Sequence, residues 1–165
     1  MKKVIVIGCP GSGKSTFSRA LHEATQIPLY HLDMLNWNPD KTTVPKSIFK
    51  ERLYRIIEKD TWIIDGNYGS TIKVRMQACD TVFFLDYSLD VCLDGLMSRR
   101  GKERKDMPWV ESSDDVDEKF IQFIKDYNIA SRPTVMELLK EYADKDIFVF
   151  KNREEADEFL SQLLR

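Results

Sequence analysis

A chain of 165 residues, 42% hydrophobic and 32% charged, has the size and balance of one globular domain with a substantial core. A formal net charge of −2 excludes a protein whose main business is coating nucleic acid, while leaving room for a local basic patch. Apolar runs of only a few residues exclude a membrane span, and an N-terminus that opens on a strand is expected to carry no secretion signal. Cys9, Cys79 and Cys92, odd in number and without metal-ligand spacing, read as reduced thiols of a cytoplasmic protein.

Val4-Ile5-Val6-Ile7 is the continuous apolar run of a buried parallel strand. Gly8-Cys9-Pro10-Gly11-Ser12-Gly13-Lys14-Ser15 follows it and fills the pattern G-x-x-x-x-G-K-[ST] at every required position. Thr16 comes next, and Phe17, Ala20 and Leu21 recur at helical spacing, so the loop joins a strand to a helix that should end near Ala24. Small residues let consecutive backbone N–H groups curl around a polyphosphate, and the helix N-terminus adds partial positive charge. Lys14 is then placed to reach the β- and γ-phosphates, and the Ser15 hydroxyl to ligate Mg²⁺. A glycine-rich turn with a chance lysine is the bland alternative, and it leaves the register of strand, motif and helix unexplained. Cys9 is either a thiol acidified by the positive charge around it or simply a small residue at a permissive position. His22, on the first helix, is expected to face solvent.

Pro28 ends that connection, and residues 29–33 read as a second short strand finishing on Asp33. A polar and aromatic loop over residues 34–44 carries Trp37, and Pro45 suits the first turn of a helix striped by Phe49, Leu53, Ile56 and Ile57. Residues 61–64 form a third strand ending on Asp65, followed by turn chemistry at Gly66-Asn67-Tyr68-Gly69 and a short helix with Arg75. Residues 81–85 are a fourth strand, and Ser88 can cap the helix marked by Leu89, Cys92, Leu93 and Leu96. Residues 99–117 turn basic and then acidic and read as an exposed connection. Phe120 to Tyr127 restores helical period, Pro133 interrupts it, and Val135 to Tyr142 continues it. Residues 147–150 are a fifth strand, and Ala156, Phe159, Leu160 and Leu163 mark a closing amphipathic helix.

Alternating strands and helices, with strands apolar on both faces, predict an α/β fold whose parallel sheet is covered on two sides. Ligands of such sheets bind at the carboxyl ends of the strands, where the phosphate loop, Asp33 and Asp65 all fall. Asp65 is expected to hold Mg²⁺ opposite Ser15, with a cap on the turn at Gly66 as its other use. Asp33 either accepts a substrate hydroxyl, as hydrogen-bond partner or base, or caps the following loop. His31 reads as a strand residue rather than a catalyst. Arg99, Arg100 and Arg104 are either arginines of a lid that stabilises a transferring phosphoryl group or a solvated charged run. Arg75 holds either an acceptor phosphate or a neighbouring acid.

Gly-Cys-Pro-Gly-Ser-Gly-Lys-Ser-Thr at 8–16 and Trp62-Ile63-Ile64-Asp65-Gly66 resemble the phosphate loop and third-strand motif of kinases of the adenylate kinase type. A closer resemblance is to the bacterial adenylate-kinase-related "DNA topology modulation" (FlaR-like) proteins. It rests on His31-Leu32-Asp33 with Asn36-Trp37-Asn38-Pro39, Asp65-Gly66-Asn67-Tyr68, Arg100-Gly101-Lys102, Arg104, Asp106-Met107-Pro108 and Arg132-Pro133. The resemblance implies a single three-layer P-loop NTPase domain over residues 1–165, with a five-stranded parallel sheet in the order 2-3-1-4-5. It places an acceptor-side segment near 33–60 and a small lid near 99–117. It also implies Lys151 and Arg153 near the adenine, and Asp33, Trp37, Asn67, Tyr68 and Arg75 toward the acceptor. The chain departs from adenylate kinases after the Asp-Gly, where Asn67-Tyr68-Gly69 replaces a Phe-Pro-Arg context and the first arginine is Arg75.

The reading that follows is an ATP- and Mg²⁺-dependent phosphotransferase for a nucleotide or another small hydroxyl or phosphate compound. Two readings stand beside it: a nucleotide-gated regulatory protein associated with DNA, and an NTP hydrolase without an acceptor.

Overall fold

The computed structural model describes residues 1–98, 108 and 118–165. The expected lid with Arg99, Arg100 and Arg104 lies outside the described residues. Five strands form one sheet: β1 (Lys3–Gly8), β2 (Leu29–His31), β3 (Trp62–Asp65), β4 (Thr81–Leu85) and β5 (Asp146–Phe150). Every neighbouring pair is parallel, and the order is β2-β3-β1-β4-β5. The helices are α1 (Lys14–Thr25), α2 (Leu32–Asn36), α3 (Lys46–Ile57), α4 (Gly69–Ala78), α5 (Leu89–Ser98), α6 (Glu118–Asp126), α7 (Arg132–Glu141) and α8 (Arg153–Leu163).

The side-chain alternation of β1 divides the core in two. Ile5 and Ile7 point to a layer with Phe49, Leu53 and Ile56 of α3, Ile72 and Met76 of α4, and Val135 and Leu138 of α7. Val4 and Val6 point to the opposite layer, with Phe17 and Leu21 of α1, Cys92 and Leu96 of α5, Ile124 of α6 and Ala156 of α8. All four β1 side chains are fully buried, as a central parallel strand covered on both faces requires. Thus the helices leaving β1 and β3, α1 and α4, go to opposite faces. Beyond the carboxyl ends of these adjacent strands the chain opens a crevice, the place where ligands of doubly wound sheets bind.

Three local expectations need correction. The second strand ends at His31, and Leu32–Asn36 is a helix rather than strand and loop. Its cause is packing: Leu32 is fully buried and Leu35 packs on the same core layer, and three residues of helical spacing put both on one face. His22 is not solvent-facing; it is half-buried, and its Nδ1 lies 2.6 Å from the Ile27 carbonyl oxygen, tying the end of α1 to the turn toward β2. Pro133 does not break the helix: α6 runs through a π-helical turn at Tyr127–Ser131 straight into α7, whose first turn holds Pro133. The Ser88 cap is present, its hydroxyl accepting from the Val91 N–H at 3.4 Å.

Candidate functional site

The glycine-rich loop leaves β1 at Gly8 and becomes α1 at Lys14. Its tight turn is closed by the Ser12 N–H donating to the Cys9 carbonyl at 3.0 Å. Gly11 and Gly13 hold left-handed φ values of 82° and 90°, a region that side chains disfavour. Space forbids side chains as well: a Cβ on Gly11 would sit 2.1 Å from the Cys92 carbonyl oxygen. The partner glycine is on α5, where a Cβ on Gly95 would sit 1.9 Å from the Gly11 carbonyl oxygen. Gly95 is therefore part of the loop's construction, and nothing in its helical surroundings marked it in the sequence.

Lys14 arches back over the loop, its Nζ donating to the carbonyls of Gly8 at 3.1 Å and Cys9 at 3.2 Å. An ammonium group held above a ring of backbone at a helix N-terminus is a donor set suited to a polyphosphate. Arg153, at the start of α8, donates Nη1 to the Ser12 carbonyl at 3.4 Å and lies 5.7 Å from the Tyr87 ring centre. A cavity of about 180 Å³ beside it is lined by Val91, Asp94, Asn152, Arg153 and Glu154. Thr16 is exposed and accepts from Arg19 at 3.4 Å. Cys9 is not an acidified thiol: its contact with Cys92 and its burial raise its pKa, and the Lys14 charge opposes them only in part. It is the small buried residue of the two readings.

Asp33 stands in the first turn of α2, and the Tyr68 hydroxyl donates to its Oδ1 at 2.5 Å. Asn36 Nδ2 donates to the same hydroxyl at 3.4 Å, and the Tyr68 ring packs 5.0 Å from Phe49. Burial, then the Asp33 charge and hydrogen bond, push the Tyr68 phenol above its ordinary pKa, so it remains a donor. Trp37 follows α2 directly and bridges to Thr43, which folds the 37–43 segment back on itself.

Arg75 does not face an acceptor. It is fully buried and spends its guanidinium on its own chain. Nε donates to Thr71 Oγ1 at 3.2 Å, Nη1 to the Gly66 carbonyl at 2.9 Å, and Nη2 to the carbonyls of Asn67 and Tyr68. Burial lowers its pKa to about 10 while the Asp65 charge supports it, so it stays cationic at neutral pH. A bound phosphate would have to displace these carbonyls from a site closed to solvent.

Asp65 ends β3 in register with Val6 and His31 and is buried. His31 Nδ1 donates to Asp65 Oδ2 at 2.7 Å, which sets the imidazole tautomer and aims the carboxylate. Ser15 and Asp65 offer the hard oxygens that Mg²⁺ takes, and this ion needs few protein ligands because it keeps its waters. No group of three or more His, Cys, Asp or Glu able to hold a metal occurs among the described residues.

One ionic cluster escaped the sequence reading. Asp86, just past β4, accepts two hydrogen bonds from Arg132, Nε and Nη2 each at 2.8 Å. Lys151 Nζ donates at 2.5 Å to Oδ2, the oxygen that also accepts from Arg132 Nη2. Asp86 is nearly enclosed, and the Arg132 hydrogen bond leads the causes that hold its carboxyl below the usual range. Lys151, expected near a nucleotide base, is thus paired with Asp86 and joins β5 to β4 and α7.

The sheet order and the loop together define a shikimate-kinase-like P-loop fold. Among solved structures, the chain is similar to shikimate kinases. With that of Acinetobacter baumannii in complex with shikimate, the TM-score is 0.63 at 16% identity, over 99% of this chain and 93% of that one. The enzyme of Bacteroides thetaiotaomicron aligns with TM-score 0.57 at 16% identity, over 97% of this chain and 94% of that one. That of Aquifex aeolicus aligns with TM-score 0.54 at 19% identity, over 98% and 92%. At these identities the likeness carries the fold. No family model and no curated protein matches the chain. No helix among the described residues is long and apolar enough to cross a membrane.

Proposed function

We propose that this protein transfers a phosphoryl group from ATP to a hydroxyl of a small acceptor. The observation that carries the reading is the pairing of a complete triphosphate loop at the end of β1 with a hydrogen-bonded carboxylate, Asp33, just beyond β2 on the same side of the sheet. The chain's own groups divide the work. The Gly8–Ser15 backbone and Lys14 hold the β- and γ-phosphates, Lys14 exchanging its two carbonyl partners for phosphate oxygens. Arg153, which touches the loop at Ser12 and lines the cavity between α5 and α8, would serve the base and sugar end of the nucleotide. Asp33 accepts the proton of the acceptor hydroxyl as its oxygen bonds to the γ-phosphorus and the bond to ADP breaks. Mg²⁺, when bound at Ser15 and Asp65, supplies charge neutralisation on the phosphates. By resemblance alone, Arg99, Arg100 and Arg104 are the candidates for stabilising charge on the transferring group.

The domain reading is retained as part of this proposal, with the acceptor side near 33–60. So is the finer kinship with the "DNA topology modulation" proteins.

The test is ATP consumption with Mg²⁺ across a panel of nucleoside monophosphates, nucleosides and hydroxylated metabolites, shikimate among them. One acceptor raising turnover well above background establishes the transferase and names its substrate. Turnover that no acceptor stimulates makes the protein a hydrolase and overturns the assignment.

A further inference from the structure

Hydrogen bonds from both sides of the crevice converge on the three residues between β3 and α4. Asn67 grips Gly8 with both ends of its amide: Oδ1 accepts the Gly8 N–H at 3.2 Å, and Nδ2 donates to the Gly8 carbonyl at 2.7 Å. Gly8 is the residue where β1 gives way to the triphosphate loop, and its carbonyl is also a partner of Lys14. The next residue, Tyr68, holds Asp33 through its hydroxyl at 2.5 Å. The two grips come from adjacent residues whose backbone is unusual. Gly66 has φ 123°, and Tyr68 has φ 39° and ψ 71°, a left-handed conformation rare for a large side chain. Such a conformation persists only where the surroundings over-determine it. Arg75 does so, taking the carbonyls of Gly66, Asn67 and Tyr68 with one planar guanidinium that is fully buried.

We propose that Asn67 and Tyr68 are positioning residues of a single strut, clamped by Arg75, through which occupancy of the triphosphate loop is transmitted to Asp33. The purpose of the strut rests on the phosphotransferase reading. Asn67 ties Gly8 to the turn, so the shift of Gly8 as Lys14 leaves its carbonyl for phosphate is passed by one peptide unit to the Tyr68 hydroxyl. Coupling between two sites needs an element whose arrangements both sites bias, and this turn bonds to a group on each side.

The experiment places 3-fluorotyrosine at position 68 of the full chain and follows its ¹⁹F resonance, with calorimetry run in parallel. The nucleotide probe is the non-hydrolysable Mg·AMP-PNP. In the otherwise unaltered protein the nucleotide should displace the resonance. Asn67→Ala, and Asn67→Asp as the better-tolerated variant that keeps the acceptor and loses the donor, should bind the nucleotide about tenfold more weakly. At saturation both should lose most of the displacement.

Full displacement in both Asn67 variants at saturation would overturn the strut and leave the nucleotide site standing. So would an unmoved resonance in the unaltered protein while calorimetry records binding. Absence of nucleotide binding in the unaltered protein overturns the phosphotransferase reading instead, and transmission with it. The nucleotide-free spectra then judge the mechanical link alone: a Tyr68 resonance moved by Asn67→Ala supports it, and an unmoved one refutes it.

Discussion

On the side of the crevice that the proposal gives to the nucleotide, the surface is backbone, packed so closely that glycines are compulsory. On the side it gives to the acceptor, the surface is side chains bonded to one another. The triphosphate loop rests on α5 with Gly11 against Gly95 and no room for a methyl group on either. What it offers a ligand is a run of N–H groups plus the Lys14 ammonium, a surface suited to a polyphosphate. Opposite it, Asp33, Tyr68, Asn36 and Phe49 form a network in which each side chain fixes another. On the proposed reading such a network would select among acceptors by the pairing of its partly buried polar groups. The two sides meet in the loop that Arg75 holds.

Breaking the acceptor side alone should give the largest effect. Asp33→Asn removes the proton acceptor, and transfer should fall by about 10²–10⁴-fold while calorimetry shows Mg·ATP still binding. Weakened ATP binding with unimpaired transfer would put Asp33 on the wrong side. Next comes the joint between the sides. Arg75→Met removes the donor from the Gly66 and Asn67 carbonyls and the Thr71 hydroxyl, while the Tyr68 carbonyl keeps the Thr71 N–H and hydroxyl, and should cost about 3 kcal/mol in urea unfolding. A variant of wild-type stability would show that water reaches the loop.

Gly95→Ala pushes a methyl group into the Gly11 carbonyl and should cost about 2 kcal/mol, with weaker nucleotide binding. The same substitution at Gly69, where nothing lies within 4 Å of an added Cβ, is the control. The smallest effect belongs to the cluster behind both sides. Asp86→Asn should cost about 1.5 kcal/mol through its charged partners. The sign with pH follows from a carboxyl whose folded pKa is depressed. Its stabilisation is fully present above the unfolded carboxylate range and is lost as pH falls toward the folded value. Acid unfolding profiles of wild type and Asp86→Asn should therefore converge below that range and separate above it.

What the sequence made legible tracks the range of the interactions. The loop, Lys14 and the sheet's five strands are local patterns, and contiguous residues carry them. Gly95 was invisible because its reason for being glycine is a carbonyl more than eighty positions away. The pairing of Asp86 with Arg132 spans 46 positions, and the grip of Asn67 on Gly8 spans 59. Arg75 misled for a related reason. An arginine ten residues past a strand-end carboxylate looks available, and only the fold shows its guanidinium turned inward onto the preceding loop. Asp33 was placed at the right strand end, though the helical turn that carries it was decided by the burial of Leu32 and Leu35.

The central claim is that the Gly8–Ser15 loop is a triphosphate site, and the most direct test is a calorimetric titration of wild type and Lys14→Ala with Mg·ATP. Saturable binding by wild type, weakened roughly 100-fold in the variant through the loss of charge-assisted contacts, is the predicted result. Equal affinities, or no binding by wild type, would contradict it.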